Sequence, residues 1–155
     1  MNKKEYEERI AKLEKELDEL KKVEIVDDEF PRLGEKYWFV SVGKGINSCC
    51  WCNTEGDNFR KDFLRIFKTK EECKRYLEIQ EAFKDESKKF EPNWKDVNQD
   101  KCYLCYNYDE DSVGISRAWS IRVATLYFES MEVLEELISR FGEKDIKKYY
   151  FGIED

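Results

Sequence analysis

The sequence contains no histidine, and only two prolines and seven glycines occur among its 155 residues. The absence of histidine excludes Ser-His and Cys-His catalysis and every histidine-ligated metal site. The scarcity of proline and glycine argues against a linker-rich or low-complexity chain. No apolar run approaches the roughly 20 residues that a membrane-spanning helix needs. These absences favour a non-enzymatic protein that is not inserted in a membrane.

The N-terminal residues also lack the features of an export signal. Met1 to Glu5 are followed at once by acidic, heptad-patterned residues, and no apolar core is present. A secretory signal peptide would need such a core. Without export, the six cysteines are expected to be reduced thiols in the cytoplasm.

Charge and aromatic content dominate what is present. Charged residues make up 41% of the chain, aromatic residues 15%, and the formal net charge is -7. The aromatic content is too high for a disordered chain, so we predict a folded domain. An acidic protein repels phosphate backbones, which argues against nucleic acid as a direct partner. The charge suits a partner with a basic surface, although solubility alone also accounts for it.

Residues 1–24 are predicted to form an N-terminal heptad helix. Its apolar residues are spaced four, three, four and three apart, which is typical of a coiled-coil seam. The seam predicts a homo-oligomer, most simply a dimer. Because so short a helix is marginal alone, the alternative is that it packs on its own domain. The predicted oligomerisation residues are Tyr6, Ile10, Leu13, Leu17 and Leu20.

A linker is predicted over residues 25–36, where Pro31 and Gly34 end the helix. Residues 37–155 are predicted to be an α+β domain of two ββα units, at 37–90 and 101–150. The two units, sharing an antiparallel sheet with both helices packed on one face, would bury the aromatic strands.

Local patterns place the elements within these units. The first unit is predicted to have strands over 37–42 and 46–52, a loop over 53–58, and a helix that begins at Thr69. In the second unit, a strand over 101–108 is followed by one long strand or two short ones within 113–127, and Ser130 caps a helix. The units share a motif, since Phe67 to Glu71 aligns with Phe128 to Glu132.

Two C-x-x-C pairs raise the question of a metal site. They are Cys49 with Cys52 and Cys102 with Cys105, and four thiolates could hold zinc. Both pairs lie in aromatic strand patterns, where residues three apart face opposite sides of the sheet. We therefore expect free thiols rather than zinc or a redox pair, and no metal or cofactor.

Aromatic residues exceed what one sheet face needs, so some are expected on a second, exposed face that binds a partner. The alternative is that the N-terminal helix or another subunit covers this face. An acidic turn follows the third strand and would add negative charge. The predicted partner-binding residues are Trp38, Trp51, Tyr106, Tyr108, Trp119, Asp109 and Asp111.

An alternative function uses basic residues. Arg117 and Arg122 could hold an anionic small molecule, which would make the chain an oligomeric protein that sequesters a nucleotide signal. Ordinary surface charge also explains these arginines, and the sequence contains no phosphate loop or glycine-rich nucleotide fingerprint.

Three segments carry a resemblance to a known group of proteins. They are Tyr37-Trp38-Phe39-Val40, the helix opening Phe67 to Glu72, and the ending Ile146 to Glu154. Over residues 36–154 the chain resembles small uncharacterised phage and prophage proteins of low-GC Gram-positive bacteria. In these proteins the opening usually has alanine at the position of Cys73, which supports Cys73 as a small core residue.

The resemblance implies no established activity. Small acidic phage proteins of this sort include inhibitors of bacterial defence, among them anti-CRISPR proteins and proteins that sequester nucleotide signals. By this association, the resemblance points to an accessory protein, located in the host-cell cytoplasm, that binds and inhibits a host protein such as a CRISPR-type defence effector.

Overall fold

The computed structural model describes residues 9, 12, 13, 30–120 and 122–154. The chain divides into two compact units, Met1–Phe30 and Pro31–Asp155. In the first unit the three described residues of the predicted heptad segment are helical, and Leu13 is 56% exposed. The other predicted seam residues lie outside the described residues: Tyr6, Ile10, Leu17 and Leu20.

The second unit opens with the predicted hairpin. Strands β1 (Lys36–Val40) and β2 (Ile46–Cys50) pair antiparallel, with Trp38 opposite Ser48. Aromatic and β-branched residues favour the extended backbone of β1. The pairing continues past β2, since the backbone N–H of Trp51 donates to the carbonyl of Glu35 over 2.8 Å.

The chain becomes helical at Glu55, so the prediction of a loop over 53–58 is wrong for residues 55–58. Helix α1 (Glu55–Phe59) runs directly into the π-helical segment π1 (Arg60–Leu64). The hydroxyl of Thr54 accepts a hydrogen bond from the backbone of Asp57, whose carboxylate accepts one from the backbone of Thr54. This reciprocal cap starts the helix with aspartate in place of the usual glutamate or glutamine.

The helix predicted to begin at Thr69 is confirmed. Helix α2 (Lys70–Ser87) starts with a capping box between Thr69 and Glu72. Its fully buried positions are Cys73, Ile79 and Phe83.

The second half again begins with a hairpin, formed by β3 (Cys102–Asn107) and β4 (Ser112–Arg117). The prediction of strand as far as residue 127 is wrong beyond Arg117, because the described residues of 118–127 form no strand. Helices α3 (Met131–Phe141) and α4 (Glu143–Asp145) follow, and the π-helical segment π2 (Ile146–Tyr150) ends the fold.

The two hairpins carry the same additional bridge on their first strand. Trp38 and Phe67 exchange two backbone hydrogen bonds of 2.9 Å, and Cys102 and Phe128 exchange two of 2.8 and 3.0 Å. Each phenylalanine lies three residues before the first residue of a helix, α2 or α3. The motif that aligns in the sequence therefore has the same position in both halves.

The α+β class is confirmed, but a single sheet shared by both units is not found. The described strands form two separate two-stranded sheets, β1–β2 and β3–β4. The bridges to Phe67 and Phe128 occupy the free sides of β1 and β3, so the hairpins cannot join through these strands. Helix α2 packs against the first hairpin and α3 against β3, and the two helices contact each other.

Both halves contribute to one hydrophobic core. It includes Phe67, Ile79 and Phe83 from the first half and Phe128, Leu134, Leu137 and Phe141 from the second. Phe83 lies edge-on to Phe128 with ring centroids 6.1 Å apart. The residues that follow α3 complete this core with Ile146 and Tyr149.

The loop between α2 and β3 is held by a buried lysine. The ammonium group of Lys101 donates to the carbonyls of Asp96 and Gln99 over 2.7 and 2.8 Å, and lies 5.7 Å from the ring centroid of Trp94. Lys101 is 0% exposed. The carbonyls and the ring compensate the charge for its loss of water.

Candidate binding surface

An open groove with a cavity volume of about 1010 Å³ lies beside α2. Its apolar lining comes from π1, from α2 and from the residues at the end of π2. The lining includes Phe63, Leu64, Tyr76, Leu77, Tyr150 and Phe151. A concave, largely apolar lining of this size is typical of a binding site.

The side of the groove formed by π1 exposes large apolar side chains. Phe63 is 74% exposed and Leu64 40% exposed. Phe59, 55% exposed, packs beside Phe63 with ring centroids 5.1 Å apart. Single exposed apolar residues are common, but three on one short helical segment form a patch of the kind that binds other proteins.

Arg65 fixes π1 against π2. Its φ of 59° is unfavourable for a non-glycine residue, so the surrounding contacts must hold it. Its guanidinium group donates hydrogen bonds to the carbonyls of Lys148 and Tyr149. It also lies 5.4 Å from the ring centroid of Tyr76. These bonds join the segments that carry Phe63 and Tyr150, and so keep the groove open.

Charged residues line the groove beside α2. The ammonium group of Lys44 pairs with the carboxylate of Glu81 at 2.6 Å, and Lys84 and Asp85 lie on the same helix. The amide of Gln80 donates to the carbonyl of Tyr149 over 2.9 Å, which ties α2 to π2. The groove therefore combines an apolar floor with a rim of both charge signs.

An aromatic and acidic turn, defined here as residues 106–111, contacts the groove residue Phe151. Phe151 lies 5.8 Å from the ring of Tyr106, which lies edge-on to Tyr108 at 5.0 Å. Tyr108 is 79% exposed, and Asp109 is exposed beside it. A tyrosine ring next to carboxylates suits an arginine or lysine side chain.

Asp111 holds this turn in place. Its carboxylate accepts hydrogen bonds from the hydroxyl of Tyr106 and from the ammonium group of Lys147. The Lys147 bond is the main reason that the pKa of Asp111 lies below its ordinary value. Asp111 therefore orders the turn, and the carboxylates of Asp109, Glu110 and Asp111 are all exposed to water.

The structure brings together only part of the predicted partner-binding set. Tyr106, Tyr108, Asp109 and Asp111 share the turn. Trp119 is 61% exposed on the segment after β4. Trp38 is half-buried, with the ammonium groups of Lys36 and Lys70 at 4.6 and 5.8 Å from its ring.

Trp51 is not a surface residue, which corrects its predicted role. It is 7% exposed and packs edge-on against Tyr37 at 5.9 Å. The backbone reason is that Trp51 extends the ladder to Glu35, and its ring packs on the face of β1 that carries Tyr37, opposite to the face that Trp38 and Val40 turn to the hydrophobic core.

The two arginines of the nucleotide alternative have different neighbours. Arg117 lies 3.7 Å from the carboxylate of Asp100 and contacts the sulfur of Met131. The guanidinium group of Arg122 lies 5.9 Å from the ring of Trp94. An anion bound at Arg117 would have to compete with Asp100.

A buried polar cluster that the sequence did not predict lies at the start of α1. The hydroxyl of Tyr37 donates to Asp57 over 2.6 Å, and Arg60 donates to that hydroxyl over 3.0 Å. The other oxygen of Asp57 accepts from the backbone N–H groups of Cys52 and Thr54 and from the Thr54 hydroxyl. Thr54 and Asp57 at N-cap spacing were the signal available in the sequence.

The pKa values of this cluster indicate a structural role. Burial, followed by the hydrogen bond to Asp57, raises the pKa of Tyr37 to about 12. The hydrogen bond from Tyr37 holds the pKa of Asp57 well below its ordinary value. Neither group titrates near neutral pH, so the cluster fixes α1 on the hairpin rather than transferring protons.

All six cysteines are free. Cys49, Cys50 and Cys52 are exposed, Cys73 and Cys102 are buried, and Cys105 is half-buried. Burial raises the pKa of the Cys73 thiol to about 11, which matches a small core residue. Within the described part of the chain, no group of three or more candidate ligands could hold a metal ion.

No family model, curated protein or solved structure matches this chain. Among the described residues, no helix combines the length and the apolar character needed to cross a membrane. The function must therefore be argued from the chemistry of the groove and of the turn beside it.

Proposed function

We propose that this chain is a non-enzymatic phage or prophage accessory protein that binds and inhibits a host protein. The binding surface is the groove beside α2 together with the turn at residues 106–111. Its partner is a segment of a host protein that carries apolar side chains next to lysine or arginine.

The exposure of Phe63 carries this proposal. A phenylalanine that is 74% exposed at the mouth of an apolar groove gains more from burial against a partner than any other side chain lining the groove. Full burial of such a side chain stabilises a complex by roughly 1.5–3 kcal/mol. Leu64, beside it, is 40% exposed and would be buried by the same contact.

Charge supports the same partner chemistry. The chain has a formal net charge of -7, and Tyr108 and Asp109 are both exposed in the turn at residues 106–111. Complementary charge steers association and rejects acidic partners. Basic side chains beside an apolar segment would find Tyr108 and Asp109 where the groove ends.

The resemblance to phage proteins suggests the class of target, a bacterial defence effector of the CRISPR type. The predicted heptad helix at residues 1–24 would pair two copies as a coiled-coil-assisted homo-oligomer. Two linked binding surfaces raise the apparent affinity for a target with more than one site.

Affinity capture from a low-GC Gram-positive host tests the surface. The full chain is compared with Phe63→Asp and with Val97→Asp, a matched change at a valine that is 61% exposed in the loop before β3. We expect a host protein to be retained by the wild type and by V97D, and to be reduced about tenfold or more by F63D. Equal recovery with both variants would overturn the assignment of the groove.

Inhibition is tested separately by phage plating on a host with an active defence system. Expression of the wild type or V97D should restore plating of a targeted phage, and F63D should not. Restoration by F63D would mean that the inhibitory contact lies elsewhere.

A further inference from the structure

The outer edge of β2 has hydrogen-bonding groups that the described residues leave unused. Trp38 exchanges both of its backbone hydrogen bonds with Phe67, so its pair with Ser48 is a non-hydrogen-bonded pair of the β1–β2 ladder. Alternation then directs the N–H and C=O groups of Ile46, Ser48 and Cys50 away from β1. No described residue pairs with this edge.

The corresponding edge of the second hairpin is blocked. By the same alternation, Val113 directs its backbone groups away from β3, and its N–H donates to the carboxylate of Glu143 over 2.7 Å. Residues of β4 before Arg117 are also half-buried. The open edge is therefore a property of β2 and not of both hairpins.

The composition of β2 is unusual for an open edge. Its sequence is Ile-Asn-Ser-Cys-Cys, without a charge or a proline, in a chain with 41% charged residues. The last four residues of this strand are exposed. Proteins normally protect open edges with lysine, proline or bulges, because an unprotected edge pairs with another strand.

We propose that β2 pairs antiparallel with β2 of a second copy of this chain, with Ser48 on the two-fold axis. In this register all five residues of β2 are paired. Ile46 faces Cys50 of the other copy, and Asn47 faces its Cys49. The two hairpins then form one four-stranded sheet.

The uncharged sequence of β2, which can pair with itself about a two-fold axis, favours a second copy as the occupant. Two chains with a net charge of -7 repel each other over most of their surfaces. A neutral strand lets them approach without placing like charges opposite each other in the ladder. A two-fold axis forms every contact twice from one patch, which is the usual geometry of a homodimer. This inference does not depend on the host partner.

A designed cross-link tests the register in the full chain. In a Cys50→Ser, Cys52→Ser background, Asn47→Cys places a thiol opposite Cys49 of the other copy. That pair is non-hydrogen-bonded, with Cβ atoms about 4.5–5.5 Å apart, which a disulfide can bridge with small adjustment. The control is Val42→Cys in the same background, a position that is 106% exposed but outside the pairing.

We expect oxidation to convert the N47C chain to a covalent dimer about tenfold faster than the V42C chain. Peptide mapping should find the bond between positions 47 and 49 of different chains. Equal rates for the two variants, or a dimer without the 47–49 bond, would overturn the proposed register.

The variant Ser48→Lys distinguishes dimerisation through β2 from dimerisation through residues 1–24, because it changes only the β2 interface. Ser48 is exposed and its N–H points away from β1, so lysine leaves the hairpin intact but sets two like charges face to face on the axis. S48K should reduce N47C cross-linking to the V42C rate. Unchanged cross-linking would show that another surface holds the copies together.

Discussion

Tyr37 is fully buried, and its hydroxyl lies in a cluster with Asp57 and Arg60 in which every polar group has a partner. The described residues contain no buried side-chain nitrogen or oxygen without a hydrogen bond. A polar cluster of this kind specifies one arrangement of the segments that meet there, because any slip leaves a charge unpaired. Here it fixes α1, and therefore π1 and Phe63, against the first hairpin.

Removing the buried hydroxyl should destabilise the domain. Tyr37→Phe deletes a hydrogen bond to a carboxylate, and we expect the free energy of unfolding in urea to fall by about 1.5–3 kcal/mol. The control is Tyr108→Phe, at a ring that is 79% exposed, where a change within about 0.5 kcal/mol is expected. Equal effects of the two variants would contradict a structural role for the cluster.

The raised pKa of Tyr37 also predicts that the stability difference between wild type and Y37F depends on pH. The pKa of Tyr37 is raised from its ordinary value of 10.0 to about 12 in the folded state. Because the pKa is higher in the folded state than in the unfolded state, the protonated hydroxyl contributes fully to the free energy of unfolding below pH 10. This contribution is lost as the pH rises through about 12. The difference in stability between wild type and Y37F should therefore shrink across this range. A constant difference would contradict the assignment.

At the scale of elements, the N-terminal caps of α2 and α3 can be compared within one molecule. The Thr69 hydroxyl accepts a hydrogen bond from the backbone N–H of Glu72, whereas Ser130, at the same place before α3, makes no such bond. Thr69→Ala should lower the free energy of unfolding by about 1 kcal/mol. Ser130→Ala should have a smaller effect, measured by urea unfolding under the same conditions. A larger loss of unfolding free energy for S130A than for T69A would contradict the stabilising role of the Thr69 cap.

Elements with local signals could be predicted from the sequence. Helix α2 has a capping box at Thr69, and β1 has a run of aromatic and β-branched residues. Helix α1 was missed because Glu55 to Asn58 has the composition of a turn, and its cap depends on Asp57, which Tyr37 holds from a distant strand. The separation of the two sheets depends on long-range bridges that leave no local pattern.

The candidate site divides in the same way. The acidic turn after β3 was predicted because Asp109, Glu110 and Asp111 follow an aromatic strand directly, which is a local signal. The exposure of Phe63 was not predicted, because the pattern of residues 59–67 is ambiguous and assigns no element to them. The position of Phe63 depends on Arg65, which donates hydrogen bonds to carbonyls 83 and 84 residues further along the chain.

At the scale of the whole molecule, the two halves share one core but expose different surfaces. The first half provides the open edge of β2 and the exposed segment π1. The second half provides the acidic turn and a blocked edge. The first half therefore carries the neutral strand proposed for self-association and the exposed Phe63 of the groove, and the second half adds Tyr150 and Phe151 to the groove and the acidic turn proposed to favour a basic partner.

Site-specific photo-cross-linking in living host cells tests the binding surface most directly. Benzoylphenylalanine replaces Phe63 in one version of the full chain and Val97 in another, both exposed positions. After irradiation we predict a covalent adduct with one host protein from position 63 and none from position 97. Adducts with the same proteins from both positions, or none from position 63, would contradict the proposal that this groove binds a host protein.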